Sequence, residues 1–183
     1  MIPIDLTSER LYFKRLTPNY ASEEYLRWLN DKEVNKYLET KGCDSLQLLE
    51  SYIQQQYDNN VLFWAICLKN SNKHIGNIKI DPINKINNSG EYGILMGDKN
   101  EWGKGYAKEA SLRIIEYCFN ELNLEKITLG VIEQNKNAVS LYNKLGFVTE
   151  SKKINAGYYD NELCNLLRMF INAKEFKIGR AHV

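Results

Sequence analysis

The chain is 183 residues long, with 44% hydrophobic and 26% charged side chains, a balance that builds one globular core and excludes a disordered chain or a disulfide mini-scaffold. Its 24 Lys+Arg against 23 Asp+Glu leave a net charge of +1, so no nucleic-acid partner is expected. No apolar window approaches a membrane span, and Met1-Ile2-Pro3-Ile4-Asp5 lacks the basic and apolar blocks of a leader, which points to the cytoplasm and away from a membrane.

Residues 9–16 read as a first strand. Residues 19–57, rich in Leu, Tyr, Glu and Gln, read as two or three helices broken near Gly42. Residues 61–69 are almost wholly apolar and short, the pattern of a strand buried on both faces. Ser71-Asn72-Lys73 makes a turn, the alternation within 74–81 predicts a strand, 82–90 a loop, and 91–97 another strand. From Gly105 the period becomes helical, with Ala107, Ala110/Ser111, Ile114, Cys118 and Leu122 on one face. Residues 127–132 read as a strand. Residues 135–145 read as a helix carrying Ala138, Leu141, Tyr142 and Leu145 on one side and capped by Gly146. Residues 147–155 and 162–171 close the chain as two strands around the loop Ala156-Gly157-Tyr158-Tyr159-Asp160.

Nothing repeats, and no Pro/Gly/Ser linker interrupts the pattern. The expectation is a single α+β domain over 1–177, with 178–183 set aside as a non-native tail. The four cysteines, Cys43, Cys67, Cys118 and Cys164, form no C-x-x-C pair and read as small buried hydrophobes. The two histidines, His74 and His182, are too few to support a zinc site or a Ser-His-Asp triad, so no metal is expected.

The segment Trp102-Gly103-Lys104-Gly105-Tyr106-Ala107 lies between a strand and a helix. Two glycines let the backbone turn tightly and approach a ligand, and the helix start offers N–H groups and a positive dipole end. The segment is either a phosphate site or a tight connection. It is not a P-loop, because five residues separate Gly97 from Gly103 and Lys104 is followed by Gly105. It is not a dinucleotide fingerprint, because Lys108 stands where the third glycine belongs.

Two motifs carry a family resemblance. Asn100-Glu101-Trp102-Gly103-Lys104-Gly105 resembles the Q/R-x-x-G-x-G/A acetyl-CoA signature of the GNAT superfamily of N-acetyltransferases. Asn135-Lys136-Asn137-Ala138-Val139-Ser140-Leu141-Tyr142-Asn143-Lys144-Leu145-Gly146-Phe147 matches that family's N-x-x-A/S-x-x-x-Y-x-x-x-G-F motif. The resemblance runs from about residue 9 to residue 171. Asn100 departs from the usual Arg or Gln. The Trp-Gly-Lys-Gly-Tyr-Ala form, with Tyr25-Leu26-Arg27-Trp28-Leu29-Asn30-Asp31, Glu33-Val34 and Tyr37-Leu38, is similar to the branch of ribosomal-protein N-terminal, small-molecule and amino-sugar acetyltransferases.

The resemblance implies a central mixed, mostly antiparallel sheet of about six to seven strands flanked by about four helices. It implies attack of an amine on the thioester of acetyl-CoA, through a ternary complex. The backbone of 103–108, from Gly103 through Lys104, Gly105, Tyr106 and Ala107 to Lys108, with Trp102 before it, would hold the pyrophosphate. The pantetheine would pair along Leu95, Met96 and Gly97. A backbone N–H near Leu95 would meet the thioester oxygen as it becomes an oxyanion. Glu91 is the candidate base, with Glu133 or an ordered water as rivals and a solvent-facing edge glutamate as the alternative. Tyr142 matches the general acid, either donating its proton or hydrogen-bonding the thiolate. The alternative is a core tyrosine. Asn135 would cap its own helix, bond the pantetheine, or do both. Trp28, Tyr158, Tyr159 and Asp160 are acceptor-site candidates, to be weighed against a core tryptophan and a solvent loop. The expected acceptor is a small-molecule amine such as an amino sugar. A protein N-terminus is the alternative and a non-catalytic acyl-CoA sensor a further one. The protein is expected to be a monomer or a homodimer.

Overall fold

The computed structural model describes residues 1–180, with side chains as far as Phe176. Residues 181–183 of the tail set aside above, His182 among them, lie outside the described residues. The strands are β1 (Leu6–Thr7), β2 (Leu11–Arg15), β3 (Leu62–Leu68), β4 (His74–Asn84), β5 (Ser89–Met96), β6 (Lys126–Ile132), β7 (Val148–Tyr159) and β8 (Glu162–Asn172). The α-helices are α1 (Glu23–Asn30), α2 (Leu46–Asp58), α3 (Tyr106–Asn120), α4 (Lys136–Leu145) and α5 (Ala173–Arg180). The sheet order is β1-β2-β3-β4-β5-β6-β8-β7, with β5 and β6 parallel in an otherwise mostly antiparallel sheet. The class is α+β, as expected. The two-residue β1 and the terminal α5 exceed the expected count.

The chain forms two compact units, Met1–Asp81 with Gly93–Ala110, and Pro82–Tyr92 with Ser111 onward. In the first, Leu11 and Phe13 alternate inward on β2, and all seven residues of β3 are buried, which explains the unbroken apolar run. Ser22 and Ser45 cap α1 and α2 by accepting the N–H of Tyr25 and Leu48, and Glu23 and Glu24 complement the dipole of α1. Tyr25 and Trp28 of α1 and Leu49 and Ile53 of α2 pack on Phe63, Ala65 and Cys67 of β3. The expected loop at 82–90 is shorter than its composition implied. β4 runs on to Asn84, whose Oδ1 accepts the N–H of Ile86 at 2.9 Å and of Asn87 at 3.3 Å and so tightens the turn into β5.

In the second unit, β5 and β6 pair from Ser89↔Lys126 to Glu91↔Thr128. β6 and β8 set Ile127, Leu129 and Val131 against Ile171, Met169 and Leu167, all buried. Asn135 caps α4 and Gly146 ends it with φ +96°, a left-handed conformation that favours glycine. The loop expected at 156–160 is instead mostly strand. β7 continues to Tyr159, pairing Gly157 with Cys164 and Tyr158 with Leu163. The turn is two residues, Asp160 and Asn161, both at positive φ, which suits the twist of a tight hairpin. A register shift between Lys153 and Gly157 absorbs the break expected after residue 155, and the Asn155 N–H donates to Asn165 Oδ1 at 3.0 Å. Cys67, Cys118 and Cys164 are buried and Cys43 is half-buried, all as free thiols.

Within the first unit the indole of Trp28 lies directly on the backbone of Gly97, where an added Cβ would fall inside the ring. Gly97→Ala is therefore expected to destabilise the protein by about 1–3 kcal/mol through overpacking, read as a lower denaturant midpoint. An unchanged midpoint would show that α1 is free to move off the strand.

Candidate active site

The glycine loop belongs to the first unit and is held at its entrance by local hydrogen bonds. The N–H groups of Gly97 and Asp98 both donate to Ile75 O, at 3.0 and 3.1 Å. The Gly97 N–H is therefore engaged within the fold. The Asp98 side chain is buried, accepts the Asn100 N–H at 3.0 Å and pairs with Lys73 Nζ at 2.5 Å. Burial alone would raise the Asp98 pKa, but Lys73 and Asn100 outweigh it and hold the carboxyl below its ordinary range. A 3-10 turn over Lys99–Glu101 leads to Trp102, whose indole Nε1 donates back to Met96 O at 2.8 Å. Gly103 (φ +76°) and Gly105 (φ +84°) then take left-handed conformations, and α3 starts at Tyr106. A Cβ at Gly103 would meet nothing within 4 Å, so the glycine serves the backbone angle and the space above it is open.

This loop satisfies a physical test for a pyrophosphate. Its backbone is exposed and unobstructed, and it feeds N–H groups into a helix start. Lys104 is paired with Glu101 at 2.8 Å and is not a free charge above the loop. Asn100 is exposed and bonds the Asp98 carboxyl through its backbone N–H and its side chain. At the loop exit, Arg10 donates from Nε to Glu109 Oε2 at 2.7 Å and from Nη1 to Lys104 O at 3.0 Å, with its guanidinium 4.4 Å from the Tyr106 ring centroid.

Trp28, an acceptor candidate, is a buried core residue. Its ring stands 4.9 Å from His74, which also meets Tyr20 at 5.0 Å and Tyr25 at 5.7 Å. His74 Nε2 lies 2.9 Å from Asn77 Oδ1. Burial lowers the His74 pKa against the raising effect of Asn77, so the imidazole is neutral at pH 7. No local sequence signal marked this cluster.

In the second unit, Tyr142 of α4 is 8% exposed, with its ring against Tyr92 at 5.8 Å and Phe147 at 5.9 Å. Its hydroxyl has no hydrogen-bond partner among the described residues, whereas the Tyr92 hydroxyl is bonded to Ser111 Oγ at 2.7 Å. Burial pushes the Tyr142 phenol up to about 12. Asn135 Oδ1 accepts the Ala138 N–H at 3.3 Å and so caps its own helix. Tyr158 is 73% exposed on β7, Tyr159 is half-buried, and Asp160 forms the hairpin tip.

Neither glutamate proposed as base is free. Glu91 receives both Nη groups of Arg168, at 2.6 and 2.7 Å, and Thr128 Oγ1 at 2.7 Å. Gly130 makes room for this arrangement, since a Cβ there would come within 3.1 Å of Arg168 Nη1. Burial raises the Glu91 pKa, but the Arg168 and Thr128 bonds prevail and the net shift is downward. Glu91 also points to the face opposite Tyr92, and so away from Tyr142. Glu133 is held by Lys152 at 2.8 Å and by Asn165 at 2.8 Å, which lowers its pKa in that order. A carboxylate fixed in this way takes a proton from an ammonium poorly. Arg168 lies 77 positions from Glu91, and no spacing rule linked them. Among the described residues no cluster of His, Cys, Asp and Glu is arranged to hold a metal ion, and no helix is long and apolar enough to cross a membrane.

Residues 10–148 match the acetyltransferase (GNAT) domain family. The chain is 30% identical over 153 residues to an uncharacterised N-acetyltransferase, p20, of Bacillus licheniformis, covering 78% of this chain and 84% of that one. It is 28% identical over 142 residues to a spermidine N(1)-acetyltransferase of Vibrio cholerae, covering 78% and 82%. The crystal structure of a spermidine N-acetyltransferase from Vibrio cholerae in complex with CoA and spermine superposes with a TM-score of 0.83 at 25% identity, over 93% of this chain and 99% of that one. The chain belongs to the GNAT family of N-acetyltransferases. It is an acyltransferase of the class that moves an acetyl group from acetyl-CoA to an amine.

The Glu91–Arg168 pair gives a stability prediction. Glu91→Gln is expected to cost about 1–2 kcal/mol at pH 7, a value discounted because both side chains are partly exposed, at 30% and 39%. The folded pKa is depressed, so the stabilisation is present above the ordinary value near 4.5 and fades as pH falls through the folded value. Denaturant melts of wild type and variant should therefore converge in acid. Full stability with a turnover loss of about a hundredfold would instead reinstate Glu91 as the base.

Proposed function

We propose that the protein N-acetylates a small aliphatic polyamine, with residues 1–177 serving this one activity. The observation that carries the cofactor half is the open, left-handed backbone of Gly103 and Gly105 at the start of α3. The acceptor half is supported by the spermidine acetyltransferases among the relatives. It is supported too by the charge of residues 22–60, which carry eight acidic side chains (Glu23, Glu24, Asp31, Glu33, Glu39, Asp44, Glu50, Asp58) against four basic ones (Arg27, Lys32, Lys36, Lys41), with Asp31 and Glu33 paired to Lys99. An amino sugar carries less charge to be attracted by that surface.

When bound, acetyl-CoA supplies the activated acetyl group. The chain's residues then have these roles. The N–H groups of 103–108 hold the pyrophosphate, and the Leu95 backbone aligns the thioester arm. Tyr142 keeps its proton. With its phenol at about 12 and an ordinary thiol near 8.5, full transfer to sulfur is uphill by about 3.5 units, or about 5 kcal/mol. Tyr142 therefore donates a hydrogen bond to the departing sulfur. With Glu91 and Glu133 tied to cations, the acceptor loses its proton to solvent.

Release of free CoA thiol should be seen with spermidine-type polyamines and be slower with nucleotide-linked amino sugars. Release only with peptides bearing Ala or Ser N-termini would move the enzyme to protein substrates. Cofactor binding without turnover on any acceptor would favour a sensor. Tyr142→Phe should lower kcat by about tenfold to a hundredfold with little change in CoA affinity, and an unchanged kcat would remove Tyr142 from the reaction. kcat/KM for the acceptor should climb about tenfold per pH unit between about pH 7 and 9, towards the amine's own pKa. A plateau below that range would reveal a protein base.

A further inference from the structure

The loop that receives the pyrophosphate in the reading above is held at its exit by a residue outside both motifs. Arg10 stands just before β2 and meets the loop at three points. Its Nη1 donates to Lys104 O at 3.0 Å, its guanidinium lies 4.4 Å from the Tyr106 ring centroid, and its Nη2 is 3.5 Å from where a Gly105 Cβ would be. The guanidinium is itself oriented by Glu109, which takes Arg10 Nε at 2.7 Å, the Arg10 N–H at 2.7 Å and Ser8 Oγ at 2.7 Å. Three donors from residues 8–10 thus converge on one carboxylate of α3, which aims one side chain at one carbonyl.

That carbonyl belongs to the peptide joining Lys104 to Gly105. A trans peptide is planar, and its C=O and N–H point in opposite directions. Fixing Lys104 O on Arg10 therefore turns the Gly105 N–H away from Arg10, towards the side left open for an anion. The flanking residues do not enforce this direction. Turning this peptide over changes ψ of Lys104 and φ of Gly105, and Gly105, at φ +84°, reaches negative φ at no steric cost, so the peptide can turn over when nothing holds its oxygen. A turned peptide would present a carbonyl dipole to the phosphate.

We propose that Arg10, oriented by Glu109, is a positioning residue that locks the Lys104–Gly105 peptide with its N–H aimed at the pyrophosphate. This rests on the glycine loop being the pyrophosphate site. The charge of Arg10 is not the agent, because Glu109 neutralises it; the fork geometry is. Lysine offers the charge without the fork, so Arg10→Lys should resemble Arg10→Ala more than wild type.

The test compares acetyl-CoA with S-acetyl-pantetheine, which lacks the pyrophosphate, in wild type, Arg10→Ala and Arg10→Lys. CoA affinity is measured by calorimetry and folding by thermal melts. Both variants should bind CoA about tenfold to a hundredfold more weakly, the worth of one hydrogen bond to a charged group. Their kcat at saturating acetyl-CoA and their turnover of S-acetyl-pantetheine should stay within about twofold of wild type. Equal losses on both acyl donors would overturn the proposal, because they would show Arg10 to be a general structural residue. Unchanged CoA affinity in both variants would overturn it, and so would full rescue by Arg10→Lys. If Arg10→Ala does not fold, Arg10→Lys, which keeps the charge beside Glu109, carries the comparison alone. Wild type that does not distinguish the two donors would overturn the loop reading itself, a failure visible before any variant is made.

Discussion

A peptide group that leads into a glycine can present either its oxygen or its hydrogen to a ligand, and anion binding needs one of these only. The first unit is organised around that choice. The entrance to the loop is set by Ile75 O, which takes two successive N–H groups, by Asp98 beneath the 3-10 turn, and by the Trp102 indole reaching back to Met96 O. The exit is set by Arg10 and Glu109. Between them the space above Gly103 is open, and the Lys104 side chain is drawn to Glu101. Apolar packing of α1 and α2 on β3 gives this arrangement a rigid base, and Trp28 carries that packing onto Gly97, next to the loop.

The second unit treats its buried tyrosines unequally. Tyr92 and Tyr142 stack edge to face, and burial raises the pKa of both. Tyr92 spends its hydroxyl on Ser111, as a structural tyrosine does. Tyr142 has no such partner among the described residues, and its hydroxyl is left for solvent or a ligand. Glu91 contrasts with it. It is the more obvious chemical group in the sequence, yet it is fully engaged with Arg168 and Thr128.

Local rules made much of this legible in the sequence. The apolar run of β3, the Asn135 and Gly146 caps of α4 and the glycine loop before α3 each rest on neighbours a few positions apart, and each has its counterpart in the fold. What escaped the sequence depends on residues far apart in the chain. The Glu91–Arg168 pair spans 77 positions and the Arg10–Glu109 pair 99, and both arise from strand order and not from any motif. The stretch Ala156-Gly157-Tyr158-Tyr159-Asp160 reads as a loop for a related reason. A bulge needs a partner strand to be recognised, so a break in a single sequence resembles a loop.

The placement of sulfur bears on how such an enzyme can be followed. Cys67, Cys118 and Cys164 are enclosed in the fold, burial pushes the Cys118 thiol up to about 12, and burial likewise raises Cys67 despite the Tyr20 contact. Thiol reagents act on thiolates, so these side chains are nearly silent towards them in the native protein. That leaves Cys43, half-buried before α2, as the one cysteine for a reagent to find. A chromogenic disulfide added to the folded enzyme would therefore register at most about one equivalent of protein sulfur. Unfolding would expose the other thiols, so the same colour change would report loss of the fold.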